Sequence, residues 1–404
     1  MSQNAPVSGE SAHIAFFGLR NAGKSSVVNA VTGQKLAIVS DVLGTTTDPV
    51  KKAMELPPIG PVVIIDTPGI DDAGELGALR VQRTLQILET ADVAILVTDA
   101  AKGMQAEDYK LLDQFQKYQI AHLIVYNKSD LLMEVPDEKE DEIYVSAKNG
   151  TEIDALKDRI AQLVKQEEQE KHIVADLLHP GDMVVLVTPI DASAPKGRLI
   201  LPQQQTIRDI LEAGAMCAVT KETELAATLE KLRDRPAMVI TDSQAFALVD
   251  QVTPDDVLLT SFSILFARYK GDLETLARGA FYLDRLQDGD HILISEGCTH
   301  HRQCGDLGTE KLPKWLKNYT KKDLRFSFTS GGEFPEDVSE YDLVIHCGGC
   351  MLSEREMKAR IRHAQNCDTP ITNYGVTIAH IHGILERALS PFPDLLDACR
   401  KAED

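Results

Sequence analysis

Residues 13–32 read HIAFFGLRNAGKSSVVNAVT: an apolar strand, the pattern G-x-x-x-x-G-K-S over 18–25, and a helical stretch closed by Gly33. Few patterns constrain a fold more tightly, because the loop must turn successive backbone N–H groups onto an anion while the helix N-terminus adds its positive dipole end. In that geometry Gly18 and Gly23 shape the loop, Lys24 reaches the β- and γ-phosphates of a nucleotide, Ser25 ligates Mg²⁺ and Ser26 belongs with the nucleotide-binding residues. A strand that feeds a helix in this way belongs to a parallel sheet. VVIIDTPG (62–69), VAILVTDA (93–100) and HLIVYNKSD (122–130) are further apolar strands separated by helical segments, which predicts a parallel, doubly wound α/β arrangement. The helical run 151–171, with a polar end followed by LLHPGD, marks the close of this region.

With 404 residues, the chain is too long for one ordinary core. The rhythm restarts at MVVLVTPI (183–190), and again at HILISE (291–296), LRFSFTS (324–330), DLVIHC (342–347) and PITNYG (370–375). The expected fold is therefore α/β: a nucleotide-binding domain over 1–174 followed by two smaller parallel-sheet α/β domains over 175–270 and 271–404. No internal repeat shows in the residues themselves. The middle region has no catalytic constellation, its acids and Lys221 falling at helix starts and exposed faces, and it reads as an assembly module. A formal charge of −20 argues against a nucleic-acid partner. MSQNAPVSGESAH has neither a charged nor an apolar leader segment, and no apolar run approaches roughly 18 residues, so the expectation is a cytoplasmic protein with no membrane partner.

Asp66 in DTPG ends a strand, where it can hold Mg²⁺ through water, and Gly69 can sense the γ-phosphate. Together with GTTTD (44–48), NKSD (127–130) and SAK (146–148), these residues resemble the ordered motifs of the TrmE/Era/septin-like GTPase superfamily. The resemblance implies GTP as substrate. It assigns Asp130 to the guanine N1–H and N2–H₂ edge, Asn127 to bracing the phosphate loop, Lys128 to the purine face, and Ser146, Ala147 and Lys148 to the loop that offers a backbone N–H to guanine O6. It also assigns Thr46 to the Mg²⁺ shell, with Thr45 and Thr47 as alternatives, so that Lys24, Thr46 and Gly69 form the catalytic set. Ile70 stands where Ras-like enzymes carry the Gln that orients water, so unaided hydrolysis should be slow. Asn21 resembles the Asn of relatives in which K⁺ occupies the arginine-finger position, which implies stimulation by K⁺.

The seven cysteines are Cys217, Cys298, Cys304, Cys347, Cys350, Cys367 and Cys399. An odd, C-terminally crowded set argues against a disulfide framework and for reduced thiols, some of them metal ligands. Cys347 and Cys350 form C-x-x-C, and CTH (298–300) offers a third thiolate from another strand end. Three thiolates suit a [4Fe–4S] cluster one protein ligand short, with His300, His346, an acid or an external group at the fourth iron. Cys298, Cys304, Cys347 and Cys350 would equally make a closed zinc site, and C-x-x-C alone fits a redox dithiol. The whole pattern CTH…HCGGC on a GTPase resembles the C-x-H…H-C-x-x-C signature of the HydF family of [FeFe]-hydrogenase maturation GTPases, over all three regions. Here 45 residues separate His300 from His346, at the short edge of the family's spacing. The resemblance implies that Cys298, Cys347 and Cys350 hold the cluster, that His300 and His346 lie at or near its open iron, and that the middle region makes a homodimer. It further implies a scaffold that receives a diiron precursor from two radical-SAM maturases and delivers it to the [FeFe]-hydrogenase apoprotein, with GTP modulating the exchange. The alternatives are an RNA- or ribosome-associated GTPase of the Era or TrmE kind and a zinc-stabilised regulatory GTPase. Cys217 is expected in a core; Cys367, Cys399, His301, His363, His380 and His382 are expected in surface or packing roles, and PKWLKNYTKKD (313–323) on a solvated helix face.

Overall fold

A computed structural model of the chain describes residues 11–34, 50–67, 84, 86–167, 171–190, 199–297, 306–331, 333–335, 337–349 and 352–401. The chain divides into two compact units, 1–170 and 171–404. Among the described residues no helix is long and apolar enough to cross a membrane.

In the first unit β1 (Ala12–Gly18) lies between β3 (Gly60–Asp66) and β4 (Val93–Asp99), parallel to both. β5 (Ala121–Asn127) and β6 (Glu142–Val145) extend the sheet beyond β4, and β2 (Val50–Leu56) closes the other edge, giving the order β2-β3-β1-β4-β5-β6. Successive side chains serve opposite faces. Ile14 and Phe16 join Val27 and Val31 of α1 (Lys24–Thr32) and Leu156 and Ile160 of α3 (Ile153–Glu167). Ala15 and Phe17 meet Leu111 and Phe115 of α2 (Ala106–Lys117) instead. With both faces covered, the strands read as continuous apolar runs, and β4 is buried throughout. β2 corrects the expectation of a wholly parallel sheet, since it pairs antiparallel with β3. Its sequence VKKAMEL is too polar to announce a strand, and the exposed Lys51 and Lys52 suit an edge that must not recruit another chain.

The second unit holds two four-stranded sheets whose pairs are all parallel. The first contains β7 (Met183–Val187), β8 (Met216–Thr220), β9 (Met238–Thr241) and β10 (Leu258–Ser261), in the order β10-β9-β7-β8. The second contains β11 (His291–Glu296), β12 (Arg325–Ser330), β13 (Leu343–His346) and β14 (Ile371–Asn373), in the order β12-β11-β13-β14. Read from the first strand of each sheet the order is the same, second-first-third-fourth. The repetition extends to detail. Ser261 at the end of β10 caps α7 (Phe262–Lys270), and Asn373 at the end of β14 caps α11 (Tyr374–Ile381), each by accepting a backbone N–H with its side chain. Two residues past each cap, Ser263 and Gly375 face one another so closely that a methyl group on Gly375 would overlap Ser263. The next helix in each copy crosses to the other sheet. α8 (Leu273–Phe281) lies against β14 at Gly279, and α12 (Leu385–Leu389) reaches back through Arg387 to Asp250 and to the carbonyls of Thr253 and Pro254. One apolar cluster accordingly runs from Val184 and Ile240 through Leu265 to Val344, Val376 and Ala388.

Cys217, expected in a core, lies half-buried on β8, an edge strand whose Met216 and Val219 are exposed. Burial still pushes its thiol above the ordinary range. Cys367 follows α10 (Glu354–Asn366), its thiol 3.6 Å from Asp337 Oδ1. Cys399 falls in α13 (Pro393–Lys401), its side chain outside the described residues. The stretch 313–323 forms most of α9 (Leu312–Thr320), which buries Leu312 and Leu316 and half-buries Trp315 against the second sheet of the unit.

Candidate functional site

The parallel strands of the first sheet end at one edge, and the predicted nucleotide residues collect there, outside the carboxyl ends as expected for an open α/β sheet. Asn21 (φ 64°) and Gly23 (φ 89°) both adopt left-handed backbone. At Gly23 the need is double, because a Cβ would also come 2.2 Å from Asn127 Nδ2. Lys24, at the start of α1, forms an ion pair with Asp66, and Ser25 Oγ donates to the other oxygen of Asp66 at 3.2 Å. Burial lowers the Lys24 pKa and the adjacent carboxylate works against that shift. Thr67 donates through its hydroxyl to Phe16 O at 2.7 Å and so ties the end of β3 to β1.

Asn127, at the end of β5, joins two loops: Nδ2 donates to Ala22 O at 3.1 Å, and Oδ1 accepts from the Ala147 N–H at 3.1 Å. Lys128 spans the mouth, with Nζ 2.7 Å from Asn21 O and 2.7 Å from Asp99 Oδ2. Burial alone would raise the Asp99 carboxyl, but the Lys128 ammonium and the Ala101 N–H hold it below its ordinary value. Ser146 Oγ donates to Asp130 Oδ1 at 2.6 Å, and both Asp130 and Lys148 are exposed. These contacts link Asn21, Gly23, Lys24, Ser25, Asp66, Asn127, Lys128, Asp130, Ser146 and Ala147, while Gly18 lies at the end of β1, Ser26 in the first turn of α1 and Lys148 two residues past Ser146. Asp99 joins them unforeseen; its signal was its place at the end of an apolar strand. Thr45, Thr46, Thr47, Gly69 and Ile70 lie outside the described residues.

The second candidate site lies in the sheet β12-β11-β13-β14, where β11 and β13 are neighbours whose chains leave to opposite sides. That switch point is where a crevice opens in such a sheet. Cys347 Sγ accepts the N–H of Gly297 at 3.0 Å and that of Gly349 at 3.4 Å. Two backbone donors on one sulfur favour a thiolate and are the surroundings in which cluster sulfur is stabilised. Gly297 is the residue that precedes Cys298 in the sequence. The approach needs a glycine, since a Cβ on residue 297 would come 2.7 Å from Leu352 Cγ. Cys347, the one described thiol of the predicted set, has with its two N–H donors the chemistry of a cluster ligand. Cys298, His300, His301, Cys304 and Cys350 lie outside the described residues.

His346 is fully buried, and both its ring nitrogens are engaged: Nδ1 lies 2.7 Å from Cys347 O and Nε2 lies 2.8 Å from Arg360 Nη1. Burial, with the Arg360 charge alongside, pushes the ring down to about 3, so it is neutral at ordinary pH. Arg360 is itself buried. Its Nη2 donates to Gly331 O at 2.7 Å, and its guanidinium carbon stands 5.2 Å from the centre of the Phe334 ring. Lys270, the last residue of α7, is also buried and donates to Leu352 O at 3.1 Å. Neither cation was foreseen, although each interrupts an apolar helix face, Arg360 between the buried Met357, Ile361 and Ala364, and Lys270 after the buried Phe266 and Ala267. Three further histidines lie in this part of the chain, of which His382 is exposed. His380 Nε2 lies 3.0 Å from Asp284 and 3.2 Å from Tyr319 Oη, His382 meets Trp315 edge-on, and His363 lies beside Phe334.

Comparison with known proteins matches three stretches of the chain. Residues 13–128 match a family model described as 50S ribosome-binding GTPase, residues 173–271 match the hydrogen maturase F dimerization domain, and residues 274–391 match the hydrogen maturase F tetramerization domain. The tRNA modification GTPase MnmE of Thiobacillus denitrificans is 35% identical over 150 residues, 37% of this chain and 33% of that protein. The GTPase Der of Nitratiruptor sp. is 30% identical over 220 residues, 47% of each chain. The chain spans about a third of the length of the first curated relatives it matches. A crystal structure of Era from Aquifex aeolicus shares 22% identity, covering 57% of this chain and 92% of that one at a TM-score of 0.35.

Proposed function

The chain belongs to the hydrogen maturase F family, with a GTPase domain of the TrmE, Der and Era class ahead of that family's dimerization and tetramerization domains, and on that premise we propose that it is a GTP-hydrolysing carrier that holds a [4Fe–4S] cluster and delivers a diiron precursor to [FeFe]-hydrogenase. The two assembly domains make it a homo-oligomer, and the tetramerization domain goes beyond the dimer expected from the sequence. The observation that carries the proposal is the Cys347 sulfur, which takes the N–H of the residue just before Cys298.

In this proposal residues 1–174 bind and hydrolyse GTP, 175–270 assemble the protein and 271–404 hold the cluster. Lys24 leaves Asp66 for the β- and γ-phosphates, Ser25 and Thr46 hold Mg²⁺ with Asp66 behind it, and Gly69 senses the γ-phosphate. Asn21, exposed in left-handed backbone at the loop, holds K⁺. Cys298, Cys347 and Cys350 are the protein ligands of the cluster. When bound, the cluster offers one iron without a protein thiolate, where an external ligand can exchange. Gly297 and Gly349 keep their N–H groups on the Cys347 sulfur and lower the cost of its charge. The diiron unit is cargo, taken from two radical-SAM maturases and passed to the hydrogenase apoprotein. The names that point to a ribosome- or tRNA-directed activity include those attached to matches of the first unit, whereas residues 173–271 and 274–391 match hydrogen maturase F domains.

Anaerobic purification, followed by iron, sulfide and zinc analysis and by GTP turnover in KCl and in NaCl, tests this. The expected result is about four iron and four sulfide per chain, with faster turnover in KCl. About one zinc per chain without sulfide would replace the cluster by a closed structural zinc site. Equal turnover in the two salts would remove K⁺ from the site.

A further inference from the structure

The cluster site is braced from behind by a group outside its ligand pattern. Arg360, on α10, reaches at once the ends of the two strands that flank β11: the ring of His346, which ends β13, and the carbonyl of Gly331, which follows β12. A guanidinium has five donors and no acceptor. Its 2.8 Å contact with His346 Nε2 therefore makes that nitrogen the acceptor, and the proton must sit on Nδ1, where it is donated to Cys347 O at 2.7 Å. One buried arginine thus fixes the tautomer and the orientation of the ring, and through the ring it fixes the carbonyl of a predicted iron ligand. Few other orientations are open to the guanidinium, which is enclosed by the Phe334 ring and accompanied by Glu356 at 3.3 Å.

Resting on the cluster site proposed above, we propose that Arg360 is a positioning residue for the cluster, holding His346 as a brace on the Cys347 backbone rather than as an iron ligand, and placing a buried positive charge beside the metal. His346 could bind iron only by giving up Arg360 or the Cys347 carbonyl. Either loss would leave a buried polar group unpaired, which is costly in so dry a setting. A positive charge close to a cluster favours its reduced, more negative form, and low dielectric strengthens that effect. Arg360 should therefore raise the potential at which the cluster accepts an electron.

The test uses the full chain, reconstituted anaerobically with ferrous iron and sulfide, as wild type, Arg360→Met and Arg360→Lys. Arg360→Met is expected to keep its iron and to lower the midpoint of the one-electron couple, read by EPR-monitored titration, by about 59 mV, a tenfold change in the ratio of oxidised to reduced cluster at fixed potential. Arg360→Lys keeps the charge and should return the midpoint towards wild type. In iron-free wild-type chain labelled with ¹⁵N-histidine, the His346 ring, assigned by its loss in His346→Gln, should show a protonated Nδ1 and a bare Nε2. An unshifted midpoint in iron-replete Arg360→Met, or a protonated Nε2 in wild type, would overturn the inference. Should Arg360→Met fail to fold, Arg360→Lys and the wild-type tautomer still decide it. If the wild-type chain takes up no iron, the cluster site itself is lost, and the inference is lost with it whatever the tautomer.

Discussion

Asp130 is exposed, one of its oxygens accepting the Ser146 hydroxyl at 2.6 Å, so a guanine edge can meet an acceptor already held in place. Asp130→Asn replaces that acceptor by an amide that both donates and accepts, the complement of xanthine at the same edge. Competition assays should show the kcat/KM preference moving from GTP towards xanthosine triphosphate by about a hundredfold, roughly 2.7 kcal/mol, because a site built to pair a polar edge rejects an edge it cannot pair. Retained GTP preference would take Asp130 out of the base contact. Residues of this kind were legible in the sequence because each belongs to a short motif at the end of an apolar strand, where spacing and chemistry are read together. Arg360 and Lys270 were not. Lys270 meets Leu352, 82 residues away, and no local pattern encodes that meeting. The only trace either leaves is a cation on an apolar helix face, which ordinary solvated residues with long apolar stems also produce.

Strands buried on both faces, such as β1, β4 and β7, were read from their unbroken apolar runs, and the partly exposed edge strands β8 and β12 were still read from MCAVT and LRFSFTS, where β-branched and aromatic residues mark a strand. β2 was missed for the converse reason: as an edge strand it keeps Lys51 and Lys52 in solvent, and among residues 51–56 only Leu56 is fully buried. The contact between α8 and β14 was equally illegible, although one residue governs it. A Cβ on Gly279 would lie 2.0 Å from Ile371 O, a backbone atom that cannot move without disturbing the pairing of β14 with β13. Gly279→Ala gains about 1 kcal/mol of helix propensity and loses more by forcing helix and strand apart, since overpacking of this kind costs about 1–3 kcal/mol. Urea unfolding of the second unit should therefore begin at lower concentration in Gly279→Ala than in wild type, with GTP turnover in the absence of urea unchanged. A midpoint at or above that of wild type would mean that α8 packs less closely than its contacts require.

At the scale of the whole molecule, the two sheets of the second unit repeat one connectivity on unrelated residues. This is why no repeat appeared in the sequence: strand order follows from right-handed crossovers between parallel strands, and many apolar residue choices satisfy it. The repetition also shows how little of function the fold alone specifies. Only the second copy places Gly297, His346 and Cys347 at its switch point, whereas the first places Thr188 and Asp242 at the ends of β7 and β9. If nucleotide chemistry and iron binding belong to separate units, a lesion in one should spare the other. Lys24→Ala should lower GTP turnover at least about a hundredfold, the scale of losing one preorganised charge donor, with iron per chain unchanged. Cys350→Ser should lose its iron and keep GTP turnover. Iron loss in Lys24→Ala would show that the units are coupled, and coupling has a signature of its own: whatever factor GTP imposes on iron affinity, iron must impose on GTP affinity. Titrating GTP into iron-free and iron-loaded wild-type chain measures that factor directly, and equal affinities would leave the GTPase to act on the exchange of partners rather than on the hold of the metal.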